Sequence, residues 1–194
     1  MFHRPLILAS TSPYRRELLG RLGLPFQVES PGVDETALPG EAPAARAARL
    51  AAAKAMAVAL RHPGALVIGS DQVAALGDTV LDKPGNAERC RAQLATLSGK
   101  TASFHTACTL VRLEYGVNLA HTDTTRVVAR RLAPDEIARY VEHARPFDCA
   151  GGFKVEALGI ALFERVESQD PTALIGLPLI WLAAALRRAG LAVP

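Results

Sequence analysis

Three kinds of residue in this chain could do chemistry: an acid beyond an apolar run, a lysine on an apolar helical stripe, and two arginines after a serine-rich turn. Asp71 follows Leu66-Val67-Ile68-Gly69-Ser70, and the end of a strand is where open α/β sheets commonly place ligand-binding groups. An acid there binds a metal, orients a water, or merely caps a turn. Lys54 shares a helix face with Leu50, Ala57 and Val58 through the i, i+4, i+7, i+8 pattern. It serves a ligand, or it snorkels, with its stem packed and its ammonium in water. Arg46 and Arg49 read as off that stripe and as surface charges, and Lys83, ahead of Pro84-Gly85, reads locally as a turn residue.

The arginines belong to Leu8-Ala9-Ser10-Thr11-Ser12-Pro13-Tyr14-Arg15-Arg16. Ser12 suits an N-cap and Pro13 the first helical turn. Arg15 and Arg16 then oppose the helix macrodipole by roughly 0.3 to 1 kcal/mol each, and a bound phosphate reverses that sign. Solvation, or pairing with Glu17 and Asp34, accounts for them equally well. The Ser10 and Ser12 hydroxyls are phosphate donors or plain caps. Neither G-x-x-x-x-G-K-[ST] nor G-x-G-x-x-G occurs, and His3, His62, His105, His121 and His143 lack metal-ligand spacing.

The elements that must position these groups follow from the hydrophobic pattern. Strands are expected at Leu6 to Ala9, Phe26 to Glu29 and from Leu66 to Ser70-Asp71-Gln72. Helices are expected at Pro13 to Leu22, Ala44 to Leu60, Asn86 to Leu97, Pro134 to Glu142 and Pro178 to Ala189. Residues 30–43, with three Pro and two Gly, have loop composition. Lys100 to Arg131 reads as a long hairpin around Tyr115-Gly116-Val117-Asn118, and Gly159 to Phe163 as a last strand. The 194 residues suit one mixed α/β domain over 1–194.

Composition excludes little else. A hydrophobic share of 49% with 21% charged residues is that of a globular chain, and a net charge of +3 selects no ligand class. Cys90, Cys108 and Cys149 form no C-x-x-C pair and read as reduced thiols of a cytoplasmic protein. The apolar run after Arg4 is too short for a signal peptide. Leu174 to Leu186 falls short of the roughly 20 residues that span a bilayer. Aromatic residues at 5%, with no basic stripe, argue against nucleic acid.

Taken in order, Leu8 to Arg16, Val33-Asp34-Glu35-Thr36, Lys54, Ser70-Asp71-Gln72-Val73, Lys83-Pro84, Ala150-Gly151 and Gly176-Leu177-Pro178 resemble the Maf-like nucleotide pyrophosphatases. The resemblance spans essentially the whole chain. It implies a mixed β-sheet flanked by helices, two lobes around a central cleft, and often a homodimer. It also implies hydrolysis of a nucleoside triphosphate between its α and β phosphates with a divalent cation, Mg²⁺ or Mn²⁺. Asp71 would be the catalytic carboxylate, with Glu35 beside it at the metal. Arg15, Lys54 and Lys83 would neutralise the triphosphate, and Ser10 would add a hydrogen bond.

Three positions address the base. Tyr14, Gln72 and Glu156 stand where the dTTP- and UTP-directed branch has Arg, Thr and Gln, and together they resemble the 7-methyl-GTP pyrophosphatase branch. That branch usually has Trp at the position of Tyr14, and Ala157 stands where members commonly have Gly. Methylation at N7 makes guanine cationic, so an aromatic face and a carboxylate suit it. Locally, Tyr14 reads equally as a packing aromatic and Glu156 as a surface carboxylate near Lys154. In a regular strand Asp71 and Gln72 face opposite sides, so both reach one pocket only if the strand ends or bulges there. The rival readings are a dTTP/UTP or broad-specificity pyrophosphatase, and a non-catalytic nucleotide- or nucleic-acid-binding regulator.

Overall fold

Leu6–Ala9 is buried along its whole length as strand β1, and its alternating side chains feed two different layers. Leu6 and Leu8 pack with Leu18, Leu19, Leu182 and Leu186, from helices α1 (Pro13–Gly20) and α5 (Leu179–Arg188). Ile7 and Ala9 pack with Ala55 and Val58 of α2 (Pro43–Ala59). One strand with period-2 side chains thus holds helices on both faces of the sheet. The computed structural model describes residues 5–193; His3 and Arg4 lie outside them.

The remaining elements are β2 (Gln27–Glu29), β3 (Leu66–Leu76), β4 (Thr79–Val80), α3 (Ala87–Leu97), β5 (Thr101–Arg112), β6 (Val117–Ala129), α4 (Pro134–Ala144) and β7 (Phe163–Glu167). They make a seven-stranded sheet in the order β2-β1-β3-β5-β6-β7, with β4 added on β3. The β2-β1 and β1-β3 pairs are parallel, and the β3-β5, β5-β6 and β6-β7 pairs antiparallel. This is the mixed sheet flanked by helices that the family resemblance implies.

Two expectations need correction. Gly159 is not the start of a strand: Leu158–Leu162 forms a 3₁₀ turn, and the strand begins at Phe163 and runs outward to Glu167. Short apolar runs of this kind satisfy either a strand or a buried turn. Nor does β3 end at Asp71-Gln72. It continues to Leu76, paired with β5 through Ala75↔Ser103 without a bulge.

The long strands β3, β5 and β6 run through two separate cores. Leu66, Ile68, Cys108 and Leu110 belong to one, beneath α1 and α5. Ala74, Phe104 and Val127 belong to the other, with Leu94 of α3 and Tyr140 of α4. Between these lobes the same face of the sheet carries polar Ser70, Gln72 and Thr106. On the opposite face α2 crosses β3 closely at Gly69, where a Cβ would collide with the Ala51 carbonyl and lie 2.5 Å from the Ala55 nitrogen. An alanine-rich helix over a glycine lets two backbones meet.

Candidate active site

A cavity of about 770 Å³ opens between the two cores. It is lined by Ser10 to Arg15 from the β1–α1 junction, by Glu35, by Arg46, Leu50 and Lys54 of α2, and by Asp71 to Ala74 of β3. Leu81 to Lys83, Asp148 to Ala150 and Glu156 complete it from the other lobe. All nine residues singled out in the sequence, Ser10, Tyr14, Arg15, Glu35, Lys54, Asp71, Gln72, Lys83 and Glu156, therefore border one space.

Asp71 and Gln72 both reach it although β3 neither stops nor bulges, which corrects the condition placed on them above. Strand β1 ends at Ala9, opposite Gly69, and β4 joins β3 only at Ala75. Over the intervening residues β3 has lost its neighbour on that side, so side chains from both of its faces border the cleft.

On the α2 face Lys54 Nζ lies 2.6 Å from Asp71 Oδ1 and 2.8 Å from Glu35 Oε1. Its side chain is 7% exposed, so the ammonium does not snorkel into water. It bridges two carboxylates, one in the sheet and one in the loop before α2. On the other face Gln72 Nε2 donates to Thr106 Oγ1 (2.8 Å) and to the carbonyls of Ala173 and Leu174 (both 3.0 Å). Gln72 thus binds the segment that crosses between the lobes.

Arg15 is set from that same segment, its Nε donating to the Gly176 carbonyl at 2.9 Å. Ser70 Oγ also lies within hydrogen-bond reach of that carbonyl, at 3.0 Å. Burial lowers the Arg15 pKa, against the pull of Asp71 and Glu35. Glu17 pairs with Arg21, and Asp34 accepts from Thr36, so neither carboxylate takes up the helix-start arginines. Arg16 is exposed and borders no part of the cavity. Ser12 caps α1 by accepting from the Arg15 N–H, and Ser10 Oγ accepts from the Ser12 N–H at 3.1 Å.

Tyr14 is not a plain packing aromatic, since its hydroxyl donates to Asp148 Oδ2 at 2.8 Å. Burial above all pushes its pKa up to about 12. Lys83 is exposed at the rim and Glu156 likewise. Neither has an ion-pair partner among the described residues; Lys154 turns to Asp148 instead, at 3.5 Å. Ala157 causes no backbone strain, with φ −133° and ψ −150°, extended values open to any residue.

Arg46 is the lining residue that the sequence reading misplaced. It is not a bystander on the surface: it borders the cavity, and its buried Nε has no hydrogen-bond partner. The missed signal was the spacing Arg46, Leu50, Lys54, a continuation of the i, i+4 stripe one turn earlier. No group of three or more His, Cys, Asp or Glu side chains among the described residues could hold a metal without other ligands. No helix among them is long and apolar enough to cross a membrane, and Cys90, Cys108 and Cys149 are unpaired thiols.

A family model described as Maf-like protein matches residues 5–189. The chain is 56% identical to the 7-methyl-GTP pyrophosphatase of Xanthomonas oryzae pv. oryzae (strain MAFF 311018), over 97% of this chain and 98% of that one. It is 53% identical to the 7-methyl-GTP pyrophosphatase of Polaromonas sp. (strain JS666 / ATCC BAA-500), over 98% of this chain and 87% of that one. The protein of that name from Aromatoleum aromaticum is 53% identical over the full length of both chains. Among solved structures, the Ham1 protein of Staphylococcus aureus aligns with 66% of this chain and 73% of its own, at 13% identity and a TM-score of 0.48. At that level the likeness adds nothing to the topology above.

Proposed function

From the premise that this chain belongs to the Maf-like family, we propose that it hydrolyses the α–β phosphate bond of 7-methyl-GTP, releasing 7-methyl-GMP and pyrophosphate. The observation that carries this reading is a single cavity that joins the Lys54–Asp71–Glu35 bridge to Tyr14 and Glu156. The first group suits a triphosphate and the second a cationic base. The names of the relatives support the same substrate.

Electrostatics argue for a cation brought with the nucleotide. Four basic side chains (Arg15, Arg46, Lys54, Lys83) and five acidic ones (Glu35, Asp71, Asp82, Asp148, Glu156) line the cavity, so the protein alone does not offset a triphosphate of about four negative charges. Asp71 and Glu35 each give one oxygen to Lys54, which leaves Oδ2 and Oε2 outside that bridge. Two carboxylates plus substrate phosphates are a usual donor set for Mg²⁺, and Mn²⁺ accepts the same oxygens. The residues fit such an ion, with Asp71 and Glu35 as its protein ligands. When bound, it would neutralise phosphate charge in the transition state.

The protein's own groups have separable tasks. Asp71, itself buried, holds or receives a proton of the attacking water, where oriented charge acts more strongly than in bulk water. Lys54 fixes Asp71 and Glu35 relative to each other. Arg15, with its Nε committed to Gly176, keeps the rest of its guanidinium for phosphate oxygens. Lys83, Arg46 and Ser10 add further donors to the phosphates. Tyr14 offers its ring to the methylated base, worth about 0.5 to 2 kcal/mol, and Glu156 accepts from the N1–H and N2–H edge. Gln72 acts on base choice through the Ala173–Leu174 backbone it holds. One domain over the whole chain, action in the cytoplasm and a homodimer belong to the same reading, with no nucleic acid as partner.

The test is pyrophosphate release from 7-methyl-GTP, GTP, UTP and dTTP with Mg²⁺ or Mn²⁺. We expect 7-methyl-GTP to have the highest kcat/KM. A preference for UTP or dTTP overturns the substrate, and tight binding without release under either metal overturns the enzyme.

A further inference from the structure

Beside Tyr14 stand a lysine and an aspartate that the proposed reaction does not use. Lys154 Nζ lies 5.3 Å from the centroid of the Tyr14 ring and 3.5 Å from Asp148 Oδ1. Asp148 Oδ2 accepts the Tyr14 hydroxyl at 2.8 Å, so one carboxylate ties the aromatic ring and the ammonium together. The backbone of Lys154 is anchored. Its N–H donates to the Tyr140 hydroxyl at 3.3 Å and its carbonyl accepts from the Ala157 N–H at 3.2 Å. Gly159 packs so closely on it that a Cβ there would collide with the Lys154 carbonyl.

An ammonium beside the ring is a difficulty for a cationic base. Like charges repel, and both cations would draw on one aromatic face. An unmethylated guanine has the opposite preference, because its free N7 accepts from a lysine. Left alone, Lys154 would favour GTP over its N7-methylated form. Asp148 answers that charge, and Lys154 pairs with it and not with Glu156, which leaves Glu156 for the base. We propose that Asp148 is a positioning residue for base choice: by holding and neutralising Lys154, it keeps the Tyr14 face and Glu156 open to a positively charged purine. The inference rests on the 7-methyl-GTP reading above.

The experiment measures kcat and KM for 7-methyl-GTP and GTP on the full chain with Mg²⁺, for wild type, Asp148→Ala, Lys154→Met and the double variant. Asp148→Ala should lower the ratio of kcat/KM for 7-methyl-GTP to that for GTP by about three- to tenfold, mostly through KM. The double variant should regain the wild-type ratio to within about twofold, because the freed cation is gone. If Asp148→Ala is poorly folded, Asp148→Asn keeps an acceptor for the Tyr14 hydroxyl and removes only the charge, and it should show the same fall. An unmoved ratio, or a fall that Lys154→Met does not relieve, overturns the proposal. A wild-type protein with no preference for 7-methyl-GTP over GTP instead overturns the substrate reading on which it rests.

Discussion

Lys54 Nζ lies 2.6 Å from Asp71 Oδ1 although the two residues are 17 positions apart, one on a helix and the other on a strand. With Glu35 on the same ammonium at 2.8 Å, Lys54 joins two carboxylates where β3 has no β1 neighbour. Replacing Asp71 by Asn should lower pyrophosphate release by at least about 10²-fold while nucleotide affinity stays within a few-fold. The Glu35 partnership keeps the Lys54 charge answered, so the fold should hold. Single-turnover assays beside equilibrium binding separate these effects, and near-normal turnover would remove Asp71 from the reaction.

Chelation should abolish turnover without loosening the protein. EDTA is expected to reduce pyrophosphate release to background, with recovery on adding Mg²⁺ or Mn²⁺. The melting temperature without nucleotide should stay within about 1 °C, because nothing among the described residues forms a metal cage of three or more acidic, His or Cys ligands. Persistent activity in EDTA would contradict the charge argument.

Arg46 tests whether a cavity-lining arginine with a buried, unpartnered Nε is functional. Arg46→Ala should reduce kcat/KM by about tenfold, the scale of one charge-assisted hydrogen bond. Arg46→Lys should recover only part of this, since lysine has no equivalent of Nε. Unchanged kinetics in both would return Arg46 to the surface role that its local sequence suggests.

The close crossing of α2 and β3 should make Gly69 intolerant of any side chain. A Cβ meets backbone atoms of Ala51 and Ala55, so Gly69→Ala must push the helix off the sheet. Overpacking of this kind typically costs about 1–3 kcal/mol, or roughly 2–12 °C in melting temperature for a chain of this size. Because Lys54 adjoins Ala55, turnover should fall further than the loss of folded protein explains. Thermal melts and activity at 20 °C measure both.

Much of this architecture is legible in the sequence. Helix α2 was expected at 44–60 and spans Pro43–Ala59; the hairpin was expected around residues 115–118 and turns at Leu113–Gly116. Strong periodicity and clear breakers make such elements visible, since they follow from local energetics. The strand expected at Gly159 to Phe163 failed because a five-residue apolar run carries no period of its own. Arg46 reads as a surface residue only when the stripe is taken to begin at Leu50; it lies one turn before Leu50 on the same face and lines the cavity.

The chain's own letters determined most of the elements, the family and nine of the residues that border the cleft, because ordered motifs and local propensity survive without three-dimensional context. What they do with one another was decided by tertiary structure alone. Asp71 and Gln72 point to opposite faces of β3, and only the early end of β1 at Ala9 lets both reach one cavity. Lys54 reads locally as a snorkelling lysine before it reads as a ligand group, and only the approach of α2 to β3 set its ammonium between two carboxylates. Glu156 reads locally as a surface carboxylate near Lys154, whereas the Lys154 ammonium lies on Asp148 and Tyr14. Each outcome depends on where neighbouring strands stop and how closely backbones approach, which are long-range quantities that no local pattern encodes.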